Sequence, residues 1–112
     1  MAEAFVLDRA SILERLGDDE EIYTMMVDMY LDDVDNNCNA LAAALDSGDL
    51  AVVRREAHTI KGLLATFSDV SGAADAHRLE QMAQAGETAG AAEAVAGLQQ
   101  RLHEIAGVLR AG

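Results

Sequence analysis

Proline is absent from this 112-residue chain, and aromatic residues make up only 4% of it. Alanine, leucine, glutamate and methionine are frequent instead, a mixture that favours helices over strands. With 51% hydrophobic residues the composition is not that of a disordered chain. The length fits one domain over residues 1–112 with a core of its own, so we expect a single all-α domain.

Basic residues are also scarce. The chain has eight of them and 20 acidic residues, which gives a formal net charge of -12. Such a surface repels nucleic acid and anionic membranes, so we expect neither as a partner. Most of the acids precede residue 50, whereas Arg54, Arg55, Lys61 and Arg78 follow it. The second half of the chain is therefore less repulsive for an acidic or phosphorylated partner.

Cys38 is the only cysteine, so an intrachain disulfide is impossible, which is compatible with a reducing cytoplasm. The N-terminus lacks the basic and apolar regions of a signal peptide. The longest apolar run, residues 40–45, is far too short to span a membrane. We therefore expect a cytoplasmic protein, and the start at Met1 favours a free-standing module.

Apolar periodicity and capping signals predict five helical segments. We expect Asp8, Asp49 and Ser68 to be N-caps. The predicted segments cover about residues 8–16, 18–46, 49–67, 69–85 and 89–109. The short turns between them imply antiparallel neighbours, so we predict an up-down four-helix bundle with the short first helix packed across one end.

The long second segment carries both apolar and acidic residues. Its methionines could line a flexible binding groove, but at helical spacing they are more often core residues. We therefore predict a first apolar stripe made of Ile22, Met25, Met26, Met29 and Tyr30. The acids in the middle of the segment are expected to cover a solvated face: Asp28, Asp32, Asp33 and Asp35.

The run Ala57-His58-Thr59-Ile60-Lys61-Gly62 lies inside the third segment. The apolar positions 57, 60 and 64 share one helical face, and His58 is rotated away from it. Lys61 and Gly62 follow His58 by three and four residues, so both neighbour it on the helix surface. An imidazole that can act as a nucleophile near neutral pH thus lies beside a cation and a glycine, which has no side chain.

Gly62 needs an explanation, because glycine inside a helix costs about 1 kcal/mol relative to alanine. The simplest reason is access, since the missing side chain lets a partner come close to His58. The alternative is that Gly62 permits tight packing against a neighbouring helix.

The chain resembles the histidine-containing phosphotransfer (HPt) domain. The resemblance rests on residues 57–62, where His58 is followed by isoleucine, Lys61 and Gly62, and it extends to residues 13–18, 47–49 and 79–80. It implies a helical bundle that accepts a phosphoryl group on His58 from a response-regulator receiver aspartate, or from a histidine kinase system, and passes it to another receiver aspartate.

The resemblance also implies the roles of neighbouring residues. Lys61 would neutralise the phosphoryl group and Gly62 would leave room for the partner. The docking surface is expected to include Arg54, Arg55, Ala65 and Arg78. The partners would be receiver domains and a sensor or hybrid histidine kinase, and the protein itself a monomer.

This interpretation makes the chain a phosphate carrier and not an enzyme with its own ATP site. No glycine-rich loop opens a helix and no Walker-like run occurs. We expect no cofactor on this chain, while Mg²⁺ would be bound by the partner receiver.

Two alternatives belong to other functional classes. A metal-binding bundle could use His58, His77 and His103, but a di-iron bundle has glutamate three residues before each ligand histidine. Those positions hold arginine, alanine and glutamine here, and we expect His77 and His103 at the surface or bundle edge. The other alternative is an adaptor bundle that binds receivers without phosphotransfer, against which the pairing of His58 with Lys61 argues.

Overall fold

The structure is a computed structural model, and it describes residues 3–112. This part of the chain contains five α-helices and no strand. The helices are α1 (Arg9–Arg15), α2 (Glu20–Ser47), α3 (Leu50–Thr66), α4 (Val70–Gln84) and α5 (Ala91–Ala111).

The four long helices form a closed ring of neighbours. Helix α3 packs between α2 and α4, and α5 completes the ring by contacting both α4 and α2. The short loops make consecutive helices antiparallel, and the bundle is elongated, with extents of 42 × 22 × 22 Å. Helix α1 contacts α2. The predicted all-α bundle with an additional short N-terminal helix is therefore confirmed.

Aspartates begin four of the helices. The side chains of Asp8, Asp19, Asp49 and Asp69 each accept a hydrogen bond from a backbone N–H in the first turn of the helix that follows. These bonds satisfy donors that have no partner inside the helix. The predicted N-caps at Asp8 and Asp49 are thus correct.

The predicted N-cap at Ser68 is wrong. Ser68 has a φ of 61°, a left-handed conformation that ends α3 and does not begin α4. The N–H of Asp69 donates back to the Leu64 carbonyl over 2.9 Å, which is the bond that closes a helix C-terminus. The next residue, Asp69, caps α4 instead. Helix α5 also begins two residues later than predicted, after Gly90 at a φ of 82°.

The predicted apolar stripe of α2 is also partly wrong. Tyr30 is buried, but Ile22, Met25 and Met29 are 43%, 61% and 60% exposed. Tyr23 is buried in their place. Apolar residues surround the first half of α2, so periodicity alone did not determine which face packs against the bundle. The acids of α2 lie exposed as predicted.

The core fixes the orientation of α3. Ala57, Ile60 and Leu64 are fully buried, and Phe67 at the end of the helix packs edge-on against Tyr30 with ring centroids 5.1 Å apart. Three apolar residues at spacings of three and four define one inward face. Position 58 is therefore held at the surface by its buried neighbours.

A buried polar group, which we call the Asp69 cluster, joins the start of α4 to α5 and to the N-terminal segment. The Asp69 carboxylate accepts two bonds from the Arg101 guanidinium, at 2.8 and 2.6 Å, and a third from the Gly72 backbone N–H at 3.0 Å. Arg101 also contacts Glu104, whose carboxylate accepts from the Phe5 N–H. Asp69 and Arg101 are both buried. The pair of hydrogen bonds to Asp69 raises the pKa of Arg101, although burial opposes the shift.

Within residues 3–112, no helix combines the length and the apolar character needed to cross a membrane.

Candidate functional site

His58 stands at the surface of α3, about halfway along the bundle. Its side chain is 68% exposed, while Ala57 and Ile60 on either side are fully buried. This confirms the predicted placement of His58 off the apolar face. The backbone of a regular helix, pinned by its buried face, therefore holds the imidazole in a defined direction.

Glu80 of α4 reaches across to α3 and joins three basic side chains, a group that we call the Glu80 cluster. His58 Nδ1 lies 2.8 Å from Oε2 of Glu80, and Lys61 Nζ lies 2.6 Å from Oε1. His77, three residues before Glu80 on α4, places its Nδ1 3.4 Å from the same Oε1. One carboxylate thus organises two imidazoles and an ammonium group.

The protonation state of Glu80 determines the tautomer of His58. The hydrogen bond from Lys61, joined by those from His58 and His77, lowers the pKa of Glu80 from 4.5 to about 2 against the opposing effect of burial. At neutral pH the carboxylate is therefore ionised and can only accept hydrogen bonds. The Nδ1 of His58 must then carry the proton that it donates, which leaves the lone pair of the neutral ring on Nε2.

Nε2 of His58 is the free nitrogen of the site. Among residues 3–112 it has no hydrogen-bond partner, and the ring is largely exposed. An imidazole whose Nδ1 donates to a carboxylate is held in one tautomer and one orientation. The arrangement can therefore present Nε2 to an electrophile that arrives from solvent.

Lys61 lies beside His58 as predicted, but its ammonium group is directed at Glu80. The 2.6 Å contact is a short charge-assisted bond, and the Lys61 side chain is only 29% exposed. The prediction placed Lys61 next to a phosphoryl group; in the structure its bonded neighbour is the carboxylate that holds His58.

Gly62 leaves an open surface one helical turn after His58. A Cβ atom built at this position would meet no atom within 4 Å outside its own stretch of helix. The alternative explanation, tight packing against a neighbouring helix, therefore has no support from the structure. Ala65 is exposed on the same helix, and its carbonyl accepts a bond from Arg15 of α1 at 3.3 Å.

The four predicted docking residues do not form one patch around His58. Arg54 and Arg55 line a groove of about 350 Å³ together with His58 and Glu80. Arg78 instead pairs with Asp75 one turn earlier on α4 and borders a separate groove between α4 and α5. The structure therefore brings the two α3 arginines to the histidine and places Arg78 elsewhere.

Glu80 and His77 are site residues that the sequence did not predict. Glu80 lies 22 residues after His58, and only the packing of α4 on α3 brings the two together. The sequence feature that could have pointed to them is their spacing of three residues, which places His77 and Glu80 on one face of α4. His103 lies on α5, exposed and 3.9 Å from Asp35, so both remaining histidines are surface residues as predicted.

The part of the chain that the structure describes contains no group of three or more His, Cys, Asp or Glu side chains arranged to hold a metal ion.

Comparisons with known proteins agree with this architecture. A family model described as the Hpt domain matches residues 25–108. The crystal structure of histidine-containing phosphotransfer protein B (HptB) from Pseudomonas aeruginosa PAO1 is similar in fold, with a TM-score of 0.84 and 24% sequence identity. That match covers 96% of this chain and 94% of the other. A comparison with curated proteins found no significant match. Because the family model spans three quarters of the sequence, the chain belongs to the Hpt domain family, whose members are phosphotransfer intermediates of two-component signalling.

Proposed function

We propose that this protein is a phosphorelay intermediate that carries the phosphoryl group on Nε2 of His58. The single observation that carries the proposal is the 2.8 Å bond between His58 Nδ1 and Glu80, which leaves Nε2 exposed and without a bonded partner among residues 3–112. The donor is the aspartyl phosphate of a receiver domain, charged by a histidine kinase system, and the final acceptor is the aspartate of another receiver.

The chemical step is a displacement at phosphorus. The Nε2 lone pair forms the new P–N bond, while the P–O bond to the receiver aspartate breaks and the aspartate leaves as a carboxylate. The imidazole ring becomes positively charged, because Nδ1 keeps its proton. The adjacent Glu80 carboxylate stabilises that charge as it develops, without any movement of the proton. The second receiver reverses the step and restores the neutral ring.

The protein acts in this scheme as a carrier without an ATP site of its own. Phosphoryl transfer depends on in-line positioning and charge neutralisation more than on covalent chemistry from the protein. The Mg²⁺ that such a transfer uses would be supplied by the receiver domain. Partner choice and the direction of net phosphate flow then depend on the receivers present.

The surface beside Gly62 is suited to such a partner. A Cβ atom at Gly62 would meet nothing within 4 Å, and the exposed Met29 of α2 adds apolar surface next to α3. A shallow groove between α2 and α3 includes Met29 and Leu63. We propose that a receiver domain covers this area, because Leu63 follows Gly62 on the helix that carries His58. Ala65, one turn beyond Lys61, would lie within the same contact.

Label transfer from purified phosphorylated receivers tests the proposal. The protein is mixed with each ³²P-labelled receiver of its host, and acid-labile label on the protein is followed with time. NMR of the ¹⁵N-histidine-labelled, phosphorylated protein then assigns the modified nitrogen through its ³¹P coupling. We expect label on Nε2 of His58, and absence of transfer from every receiver would refute the proposal.

A further inference from the structure

The phosphoryl group on His58 needs cationic partners that the Glu80 cluster does not supply. A phosphoryl group adds close to two negative charges beside a carboxylate that is already ionised. Lys61 is bonded to Glu80 at 2.6 Å, on the Nδ1 side of the imidazole. If its ammonium turned toward a group on Nε2, Glu80 would lose its shortest hydrogen bond. The charge of the phosphoryl group therefore has to be balanced from another direction.

Arg54 and Arg55 are the cations that lie near His58 and are not bonded to Glu80. They precede His58 by four and three residues on α3, so both neighbour it on the helix surface. Both line the groove of about 350 Å³ that also includes His58. Both are exposed, and neither forms an ion pair within residues 3–112. Their guanidinium groups are thus free to bind an anion.

We propose, on the basis of the function proposed above, that Arg54 and Arg55 form the phosphoryl-binding subsite of phosphorylated His58, and that Lys61 acts instead by positioning Glu80. Guanidinium groups match the oxygens of a phosphoryl group with paired hydrogen bonds, which an ammonium group cannot do. The two arginines thus stabilise the phosphohistidine in the free protein, before any receiver arrives.

Stabilisation of this kind lengthens the life of the phosphohistidine. The dianionic ground state places charge on the phosphoryl oxygens, and the loose transition state of P–N cleavage moves charge toward the leaving nitrogen. Cations held at the oxygens therefore favour the ground state and slow hydrolysis. A role confined to docking a receiver would leave hydrolysis unchanged, because no receiver is present in that reaction.

The experiment uses phosphoramidate to charge the whole protein without a receiver. Nε2 attacks phosphorus, the P–N bond to the donor breaks, and ammonia leaves. Excess donor is removed, and the decay of phosphohistidine is followed by ³¹P NMR in the parent and in Arg54→Gln, Arg55→Gln, Lys61→Gln and Arg110→Gln. The control is Arg110→Gln, which removes the same charge from the last turn of α5, far along the chain from His58.

We expect each of the Arg54→Gln and Arg55→Gln variants to lose phosphate roughly threefold faster than the parent, as for an exposed charged pair, and the double variant faster still. Arg110→Gln should decay like the parent. Added salt should shorten the lifetime in the parent more than in the double variant, because it screens the arginines.

Two results would overturn the inference while leaving the proposed function intact. One is a phosphohistidine lifetime in the double arginine variant that equals that of the parent. The other is a shorter phosphohistidine lifetime in Lys61→Gln and in none of the arginine variants. If His58 of the parent takes no label from phosphoramidate or from any receiver, the proposed function fails and the inference fails with it.

Discussion

Two carboxylates in this bundle each collect several hydrogen-bond donors, yet their surroundings are opposite. Asp69 is buried, its main partner Arg101 is 7% exposed, and both are enclosed between helices. Glu80 is 14% exposed, but its partner His58 is 68% exposed. A buried pair that loses one partner leaves an uncompensated charge, whereas water can replace a lost partner at the surface. Loss of one partner from the Asp69 cluster therefore destabilises the fold, whereas the Glu80 cluster is free to change its charge during a reaction.

The largest expected effect lies at the surface. His58→Gln should abolish acid-labile phosphorylation completely while the thermal melting temperature stays within a few degrees of the parent, because an exposed hydrogen bond contributes little to stability. Label transfer and circular dichroism on the same preparation measure both properties. His103→Gln is the matched control and should label normally, as should His77→Gln. Retained labelling of His58→Gln would show that the acceptor is a different residue.

The second effect concerns the buried cluster. Asp69→Ala should lower the free energy of unfolding by about 3–5 kcal/mol, since Arg101 would remain buried without its partner. Urea unfolding measures the change. Asp75→Ala removes a carboxylate from the surface pair with Arg78 on the same helix and should cost about 1 kcal/mol or less. Similar losses in the two variants would mean that burial does not distinguish these pairs. Asp69→Asn, which can still cap α4, serves if the alanine variant does not fold.

The contrast between the two clusters also shows what a sequence can predict. The inward face of α3 and the exposure of His58 follow from local spacing, so both were predicted correctly. The pairing of Asp69 with Arg101 joins residues 32 positions apart, and that of His58 with Glu80 joins residues 22 apart. Such contacts depend on how helices pack, which periodicity does not specify.

Two of the errors in the helices, the N-cap of α4 and the apolar stripe of α2, have the same origin. Ser68 is a good N-cap residue by type, but the buried Asp69 takes that position because its carboxylate also binds Arg101. In α2, Met25 and Met29 have the spacing of core residues, and they are exposed because Tyr23 and Tyr30 occupy the inward face. Tyr30 is fixed there by a 2.7 Å bond from its hydroxyl to the Leu102 carbonyl. In each case a tertiary contact selected between residues that were locally equivalent.

Acid titration separates the clusters further. Because the folded-state pKa of Glu80 is lowered from 4.5 to about 2, its contribution to stability is complete above pH 4.5 and is lost as the pH falls toward 2. Glu80→Gln should therefore be less stable than the parent at neutral pH, and the difference should vanish near pH 2. Unfolding midpoints in urea across this range measure it. Glu93→Gln, at an exposed acid of α5, is measured in parallel as the control. If the difference in unfolding midpoint between the parent and Glu80→Gln were the same at every pH, the ion pairs assigned to Glu80 would be contradicted.

Gly62 tests whether open surface near the Glu80 cluster is required for transfer. Gly62→Gln should melt no lower than the parent, since a Cβ atom there meets nothing within 4 Å and glutamine is a good helix former. Transfer from a receiver should fall by roughly tenfold or more, because reacting atoms must approach within about 3–3.5 Å. Gly62→Ala is the control, which should be up to about 1 kcal/mol more stable and transfer nearly normally. Lower stability of Gly62→Gln, or unimpaired transfer, would refute the access argument.

The smallest expected effect is the coupling between Lys61 and Glu80. Lys61→Ala should slow transfer from a receiver by roughly fivefold and leave the melting temperature nearly unchanged, as expected for one partly exposed ion pair. If Lys61 acts by holding Glu80, the same substitution should have little further effect when Glu80 is already glutamine. The four rate constants of this double-mutant cycle give the coupling, on the order of 1 kcal/mol. If Lys61 contacted the phosphoryl group directly, its removal would slow transfer equally in both backgrounds. Additive rate losses would therefore assign Lys61 to the phosphoryl group, and non-additive losses assign it to the carboxylate that orients His58.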